Sequence, residues 1–230
     1  MQLPSRAVRA VLFDLDGTLF DTAADIAAAL NGALAEQGLG PVPLARVRTF
    51  IGRGVPTLIE RALAFLGAAA RGDPQAQLQR FEAHYQRIEA SGELTARVYP
   101  GVCAGLGGLH ALGLRLGVVT NKPARAATDL LRRHGLARWI QSVVGGDSGL
   151  PRKPHPEPLL RACEELGVAP AAALMVGDSL VDVLAARAAG LTVVCVPYGY
   201  NEGNDPRALP GDGLIESVAE LPALLATAPR

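Results

Sequence analysis

The sequence predicts an α/β fold: a parallel sheet flanked by helices, interrupted near its start by an all-helical block. Three observations predict it. Apolar runs at 114–119, 142–144, 172–176 and 192–196 alternate with helical patterns, which is the signature of βαβ units. The run at 8–13 is continuously apolar, as expected of a strand covered on both faces. Between residues 20 and 92 the chain carries helical patterns and no convincing strand.

Taken in order, strand 8–13 ends in Asp14-Leu15-Asp16-Gly17-Thr18. A helix follows at 22–37, capped by Asp21 or Thr22, filled by Ala and Leu, and stopped by Gly38. Pro41 and Pro43 break the chain, and helical patterns return at 44–50, 55–68 and 75–91. From Pro100, helices at 102–112, 124–134, 156–167 and 180–189 separate the apolar runs. Residues 197–213, rich in Gly, Pro and Asn, read as a loop, and an amphipathic helix at 216–226 packs on the sheet. The expected division is residues 1–19 with 93–230 as an α/β core, and 20–92 as a helical domain inserted after the first strand.

Composition narrows the function. The formal net charge is zero, which argues against a chain built to coat nucleic acid or an anionic membrane. Arginine supplies nearly all the positive charge, and the only lysines are Lys122 and Lys153. Cys103, Cys163 and Cys195 are widely spaced and read as small core residues. Residues 1–6 lack an apolar signal core. No apolar run approaches the ~18 residues of a spanning helix. A reducing cytoplasm is the expected location.

Side chains alternate along a strand, so Asp14 and Asp16 begin on one face, and Gly17 permits a sharp turn after them. Two carboxylates at the end of a buried strand are costly unless they bind a cation or do chemistry. Asp14 reads as nucleophile and metal ligand, and Asp16 as its acid/base partner, with Thr18 and Asp21 fixing Asp16 or its loop. In open α/β sheets the ligand lies beyond the carboxyl ends of the strands, which gathers four segments of this chain. Thr120 ends the second core strand, and its hydroxyl and the amides after it suit phosphate oxygens, although a helix cap or turn role fits too. Lys153 is framed by Pro151, Pro154 and Pro156, which stiffen the backbone around a cation that balances Asp14 and a phosphoryl group. Asp178 and Asp182 lie one helical turn apart. Acids are favoured at a helix start in any case, but an oxygen-only site beside phosphate is what Mg²⁺ prefers. Asp178 reads as a direct ligand, and Asp182 as a neighbour of the metal's waters or of Lys153. His84, His110 and His134 read as surface or interdomain contacts, His155 as structural, and Trp139 as core.

Asp14-Leu15-Asp16-Gly17-Thr18, Thr120-Asn121, Lys153 and Gly177-Asp178-Ser179-Leu180-Val181-Asp182 resemble the four motifs of the haloacid dehalogenase superfamily. The match runs over nearly the whole chain and is similar to bacterial phosphoglycolate phosphatases. The closest local segments are Ile51–Gly54, Thr120–Pro123, Gly145–Asp147, Arg152–Pro156 and Tyr198–Asn201. The resemblance implies a Rossmann-like core with a helical cap that closes over the substrate. It implies Mg²⁺ held by Asp14, the Asp16 main-chain carbonyl and Asp178, with Thr18, Thr120 and Asn121 on phosphate. It implies a phospho-aspartyl intermediate on Asp14, and 2-phosphoglycolate cleaved to glycolate by a monomer or homodimer.

Related activities fit less well. Dehalogenases of this kind usually lack the second motif aspartate, present here as Asp16. Phosphonate hydrolases use a cap lysine, and residues 20–92 contain none. Similar sugar phosphomutases carry a histidine where this chain has Ala23–Ala27. A phosphatase for an amino-sugar 6-phosphate, or for another small phosphorylated metabolite, keeps the same core motifs. A non-catalytic phospho-ligand sensor is the alternative from another class. Arg53, between two glycines, is the expected contact for a substrate carboxylate, because a guanidinium binds carboxylates in bidentate fashion.

Overall fold

The computed structural model describes residues 8–69 and 73–226. The expectations for residues 1–6 and for the chain termini lie outside these. In chain order the elements are β1 (Ala10–Phe13), β2 (Phe20–Asp21), α1 (Ala23–Ala35), α2 (Leu44–Phe50), α3 (Val55–Phe65) and α4 (Pro74–Ser91). Then come β3 (Arg97–Val98), α5 (Val102–Ala111), β4 (Arg115–Val119), α6 (Ala124–Arg133), β5 (Ser142–Val144) and α7 (Glu157–Glu165). The chain closes with β6 (Ala173–Gly177), α8 (Leu180–Ala189), β7 (Thr192–Cys195), β8 (Gly213–Leu214) and α9 (Leu221–Ala226).

Six strands form one parallel sheet in the order β5-β4-β1-β6-β7-β8. β1 is central because both of its faces are apolar. Val11 and Phe13 enter one core with Leu106 and Leu109 of α5 and Leu130 of α6. Ala10 and Leu12 enter the opposite core with Leu159 of α7 and Val183 and Ala186 of α8. The strand order reverses at β1: the chain goes out to β4 and β5 on one side, then crosses to β6 on the other. Ligands of such sheets bind at that switch point.

The helices α1–α4 bury a third core of their own, with Ile26, Leu30, Leu58, Leu63 and Phe81, and Tyr200 reaches it from the loop after β7. The helical block leaves the sheet through β2 and returns through β3, and these two short strands pair antiparallel. The buried Asp25 of α1 fastens the return segment, accepting from Thr95 N and Ala96 N at 2.7 and 2.9 Å. α4 starts on an Asp73 side-chain cap to Ala76 N at 3.0 Å and ends on Gly92, whose φ of 76° suits glycine.

Several local expectations change. β2 and β3 are too short for any period-two pattern to reveal. The segment 197–213 holds two single-turn 3₁₀ helices, and its last residue, Gly213, begins edge strand β8. The last helix starts at Leu221, after a 3₁₀ turn closed by the reciprocal Ser217–Glu220 caps. Thr22 stands at the N-cap of α1 and makes no side-chain cap bond, because its hydroxyl is drawn to Asp16. Cys103 is exposed, whereas Cys163 and Cys195 are buried as expected. Trp139 is half-buried beneath the Arg138 guanidinium, 4.1 Å from its ring.

Candidate active site

β1 ends at Phe13, and Asp14 N still donates to Val176 O of β6 at 2.9 Å. The chain then turns tightly, with Gly17 at a φ of 97° and its N–H on Phe20 O at 2.8 Å. A Cβ at Gly17 would lie 2.5 Å from Asp178 Oδ2, so the loops after β1 and β6 approach as only glycine allows. Gly199 meets the other flank of Asp178, where a Cβ would fall 2.2 Å from the Asp178 Cβ.

Lys153 is 3% exposed and spends its three donors inside the site. They reach Asp14 Oδ1 at 2.7 Å, Asp182 Oδ1 at 2.7 Å and Val119 O at 2.6 Å. The Lys153–Pro154 peptide is cis. His155, beside it, is exposed. Asp182 sits in the first turn of α8, and its Oδ2 takes Ser179 N at 3.1 Å and Ser179 Oγ at 2.7 Å. Asp178 Oδ1 accepts from the Thr18 hydroxyl at 3.0 Å, and Oδ2 accepts from Tyr200 N at 2.7 Å.

Asp16 is held by other partners than the sequence suggests. Its Oδ1 accepts from Thr22 Oγ1 at 2.6 Å and from Lys122 Nζ at 3.2 Å. Thr18 instead serves Asp178, and its carbonyl accepts from the Tyr198 hydroxyl at 3.0 Å. Asp21 pairs with Arg48 and accepts from the Tyr200 hydroxyl at 2.8 Å. The reason is geometric: the turn after Gly17 points Thr18 toward the end of β6, and β2 carries Asp21 to the hinge of the helical block.

Thr120 Oγ1 accepts from Lys122 N at 3.2 Å, so its own proton can face the cavity that Thr120 lines. The turn role and the phosphate role expected of Thr120 are thus compatible. Asn121 Nδ2 donates to Gly52 O at 2.9 Å and to Lys153 O at 3.0 Å, tying the helical block to the Lys153 loop. Asp147 Oδ1 caps the first amide of α6, Ala124 N, at 2.8 Å. Arg53 is turned away from the cavity and grips Glu202 twice, at 2.9 and 3.2 Å, while Arg61 adds a second ion pair to the same carboxylate.

Carboxylate oxygens of Asp14, Asp178 and Asp182 lie within 4.8 Å of one another. Lys153 is the one cation touching this trio among the described residues. Burial pushes the Asp14 carboxyl well above its ordinary range; Lys153 opposes the rise, and Asp182 and Asp178 add to it. Burial, then Asp182, pushes Asp178 up to about 7. Burial alone would lower Lys153, yet Asp14 and Asp182 hold it firmly protonated. Lys122 is raised in the same way, burial opposing and Asp16 prevailing. Three carboxyl groups crowd around one ammonium in a buried pocket, an excess of acid that adds to the burial-driven rise of Asp14 and Asp178. A hard divalent cation fits that donor set and that acid excess.

Above these groups is a cavity of about 280 Å³. Its floor includes Asp14, Asp16, Thr120 and Lys122, and the helical block covers it with Ile51, Leu58, Phe81 and Tyr85 beside the polar Glu82, Gln86 and Glu89. The family model for haloacid dehalogenase-like hydrolases matches residues 8–190, which includes every acid of the site. The chain belongs to this family. This hydrolase is 48% identical over 219 residues to the plasmid phosphoglycolate phosphatase of Cupriavidus necator, covering 95% of this chain and 94% of that one. Among solved structures it resembles a predicted phosphoglycolate phosphatase of Haemophilus somnus 129PT. That match has a TM-score of 0.84 and 32% identity over 93% of this chain and 96% of the other. It also resembles a mutant of CbbY from Rhodobacter sphaeroides in complex with xylulose-(1,5)bisphosphate. There the TM-score is 0.75 with 26% identity, over 93% of this chain and 96% of the other. The hydrolase has no helix long and apolar enough to cross a membrane among the described residues.

Sequence reasoning gave no role to Lys122, Tyr200 or Glu202, and gave Thr22 only that of a helix cap. Lys122 carried a usable signal, as one of two lysines in an arginine-rich chain, placed directly after the Thr120-Asn121 strand end. The others act across the junction between the helical block and the sheet, which no local pattern encodes.

Proposed function

We propose that the chain is a phosphomonoester hydrolase that forms an aspartyl phosphate on Asp14, with 2-phosphoglycolate as its substrate. The observation that carries this reading is Asp14 on the floor of a roofed cavity beside Asp16, joined at 2.7 Å to the buried Lys153, which in turn bonds Asp182 at 2.7 Å. Lys153 grips Asp14 Oδ1, and Oδ2 has no protein donor among the described residues, so Oδ2 is the attacking oxygen. Its lone pair forms the new O–P bond as the P–O ester bond breaks. Asp16, protonated, gives its proton to the departing alkoxide, which leaves as glycolate. Water then attacks phosphorus, Asp16 takes its proton, and phosphate leaves with Asp14 restored. Thr120, with Asn121 behind it, positions the phosphoryl oxygens, and Thr18 acts by holding Asp178 in place.

Asp14, the Asp16 carbonyl and Asp178 would hold Mg²⁺, with Asp182 behind them. Once bound there, Mg²⁺ would neutralise phosphate charge. The helical block over Asp14 shields the ester from bulk water while it is cleaved. We read residues 20–92 as a cap over the core formed by 1–19 and 93–230. We also read the enzyme as a cytoplasmic monomer or homodimer that needs neither nucleic acid nor membrane. Names of the relatives, including that of Cupriavidus necator, support phosphoglycolate over amino-sugar phosphates.

The test is phosphate release from a panel of monoesters with Mg²⁺, using Asp14→Asn as control. The panel holds 2-phosphoglycolate, amino-sugar 6-phosphates, hexose phosphates and nucleotides. Preference for 2-phosphoglycolate, abolished by Asp14→Asn, is the expected result. Preference for a sugar phosphate removes the substrate assignment and leaves the chemistry. No turnover of any ester removes both.

A further inference from the structure

We infer that Lys122 is the residue that recognises the substrate's carboxylate, an inference that rests on the phosphoglycolate reading above. In 2-phosphoglycolate the ester oxygen is followed by one methylene and then the carboxylate. The ester oxygen must come within hydrogen-bond reach of Asp16 for the leaving group to be protonated. A cation that itself touches Asp16 therefore stands beside whatever lies two bonds beyond that oxygen. Lys122 is such a cation, with Nζ 3.2 Å from Asp16 Oδ1.

Its surroundings support the assignment. The Lys122 side chain is 6% exposed, lines the cavity, and lies under the ring of Tyr85 in α4, with Nζ 5.0 Å from the ring centroid. Its ammonium is thus placed at the cavity wall between Asp16 and the Tyr85 ring. The other cation on the cavity wall among the described residues is Arg125, whose side chain is 86% exposed at the mouth. Arg53, the cation expected from sequence to meet a carboxylate, is occupied by Glu202. A buried ammonium that meets the substrate carboxylate as well as Asp16 discriminates, because a substrate lacking that group forgoes the second ion pair.

The experiment compares kcat/KM for 2-phosphoglycolate and for ethyl phosphate, which lacks the carboxylate, in the wild type, Lys122→Met and Arg53→Ala. Lys122→Met also deprives Asp16 of a partner, so both rates fall, and the preference ratio is the quantity that matters. The expected result is a ratio lowered at least tenfold by Lys122→Met and changed less than threefold by Arg53→Ala. An unchanged ratio in Lys122→Met, or a collapse in Arg53→Ala, overturns the inference and leaves the phosphoglycolate reading intact. A wild type without preference for 2-phosphoglycolate overturns both.

A second measurement needs no substitution in the protein observed. The chain has two lysines, so protein labelled with ¹³C at the lysine ε-carbon gives two signals. Phosphonoacetate, which carries the carboxylate, is expected to shift the Lys122 signal, and ethylphosphonate is not. Equal shifts from the two probes overturn the inference.

Discussion

Asp182 holds Lys153 with one carboxylate oxygen, at 2.7 Å, and anchors the start of α8 with the other, at 2.7 and 3.1 Å. The same group thus sets the buried ammonium of the site and caps a helix. Asp182→Asn keeps the size and removes the charge. Removing one partner of a buried ion pair costs about 3–5 kcal/mol. Asp14 and Val119 O still hold Lys153, so a loss of about 2–3 kcal/mol is expected, lowering the melting temperature by roughly 5–10 °C. Activity should fall about 10–100-fold, as for other groups that orient a site from behind. An unchanged melting curve would show that the Asp182 charge contributes nothing to this network.

The crowding of acids sets a pH dependence. Asp178 titrates near 7 in the fold against an ordinary value of 3.8. The folded state thus binds its proton more tightly than the unfolded chain does. That stabilisation is complete below about pH 4 and is lost as pH rises through 7. Protein stripped of divalent metal should therefore melt lower at pH 8 than its behaviour at pH 5 suggests. Added Mg²⁺ should raise the melting temperature more at pH 8 than at pH 5. Calorimetric scans with chelator and with Mg²⁺ check this, and a Mg²⁺ effect independent of pH refutes it.

Glu202 bridges the loop after β7 to Arg53 and Arg61 of the helical block, and its backbone is left-handed, with φ at 52°. Glu202→Gln should cost about 1 kcal/mol or less, since part of the pairing faces solvent. Glu202→Gly loses the same ion pairs but accepts the left-handed backbone freely. It should melt at or above Glu202→Gln. Thermal melts of the two proteins decide, and a clearly lower value for the glycine variant would mean that Glu202 packing outweighs its backbone strain.

Thiol chemistry separates the cysteines. Cys103 is exposed, whereas burial pushes the Cys163 thiol up to about 11 and the Cys195 thiol up to about 12. Reaction with an aromatic disulfide at pH 8 should modify one thiol per chain rapidly and three after denaturation. Two rapid thiols in the native protein would contradict the packing of β7 or α7.

The acids of the candidate site and Lys153 were legible because each follows an apolar run broken by Gly or Pro, so strand ends and chemistry coincide in the sequence. Asp14, Thr120, Lys153 and Asp178 converge because β1, β4, β5 and β6 are parallel and share a carboxyl edge. The partners of Asp16 were not legible. Thr22 looks like a helix cap, yet its hydroxyl donates to Asp16 instead. Lys122 gains meaning only when α4 lays Tyr85 over it. Gly199 and Tyr200 sit in a loop whose period says nothing, yet one clears space beside Asp178 and the other donates to it. Arg53 shows the converse: the sequence points to a carboxylate partner, and the fold supplies one from Glu202.

The pairing of β2 with β3 has a mechanical consequence. The helical block hangs from the sheet by two covalent tethers, and Phe20↔Val98 and Asp21↔Arg97 bind these tethers to each other. Two separate strings would let a suspended body twist and slide in any direction. A bonded ribbon bends easily across its flat face and resists shear in its plane. The roof of the cavity is thus mounted on a leaf spring, so any displacement of it would follow the ribbon's soft bending direction rather than its stiff plane.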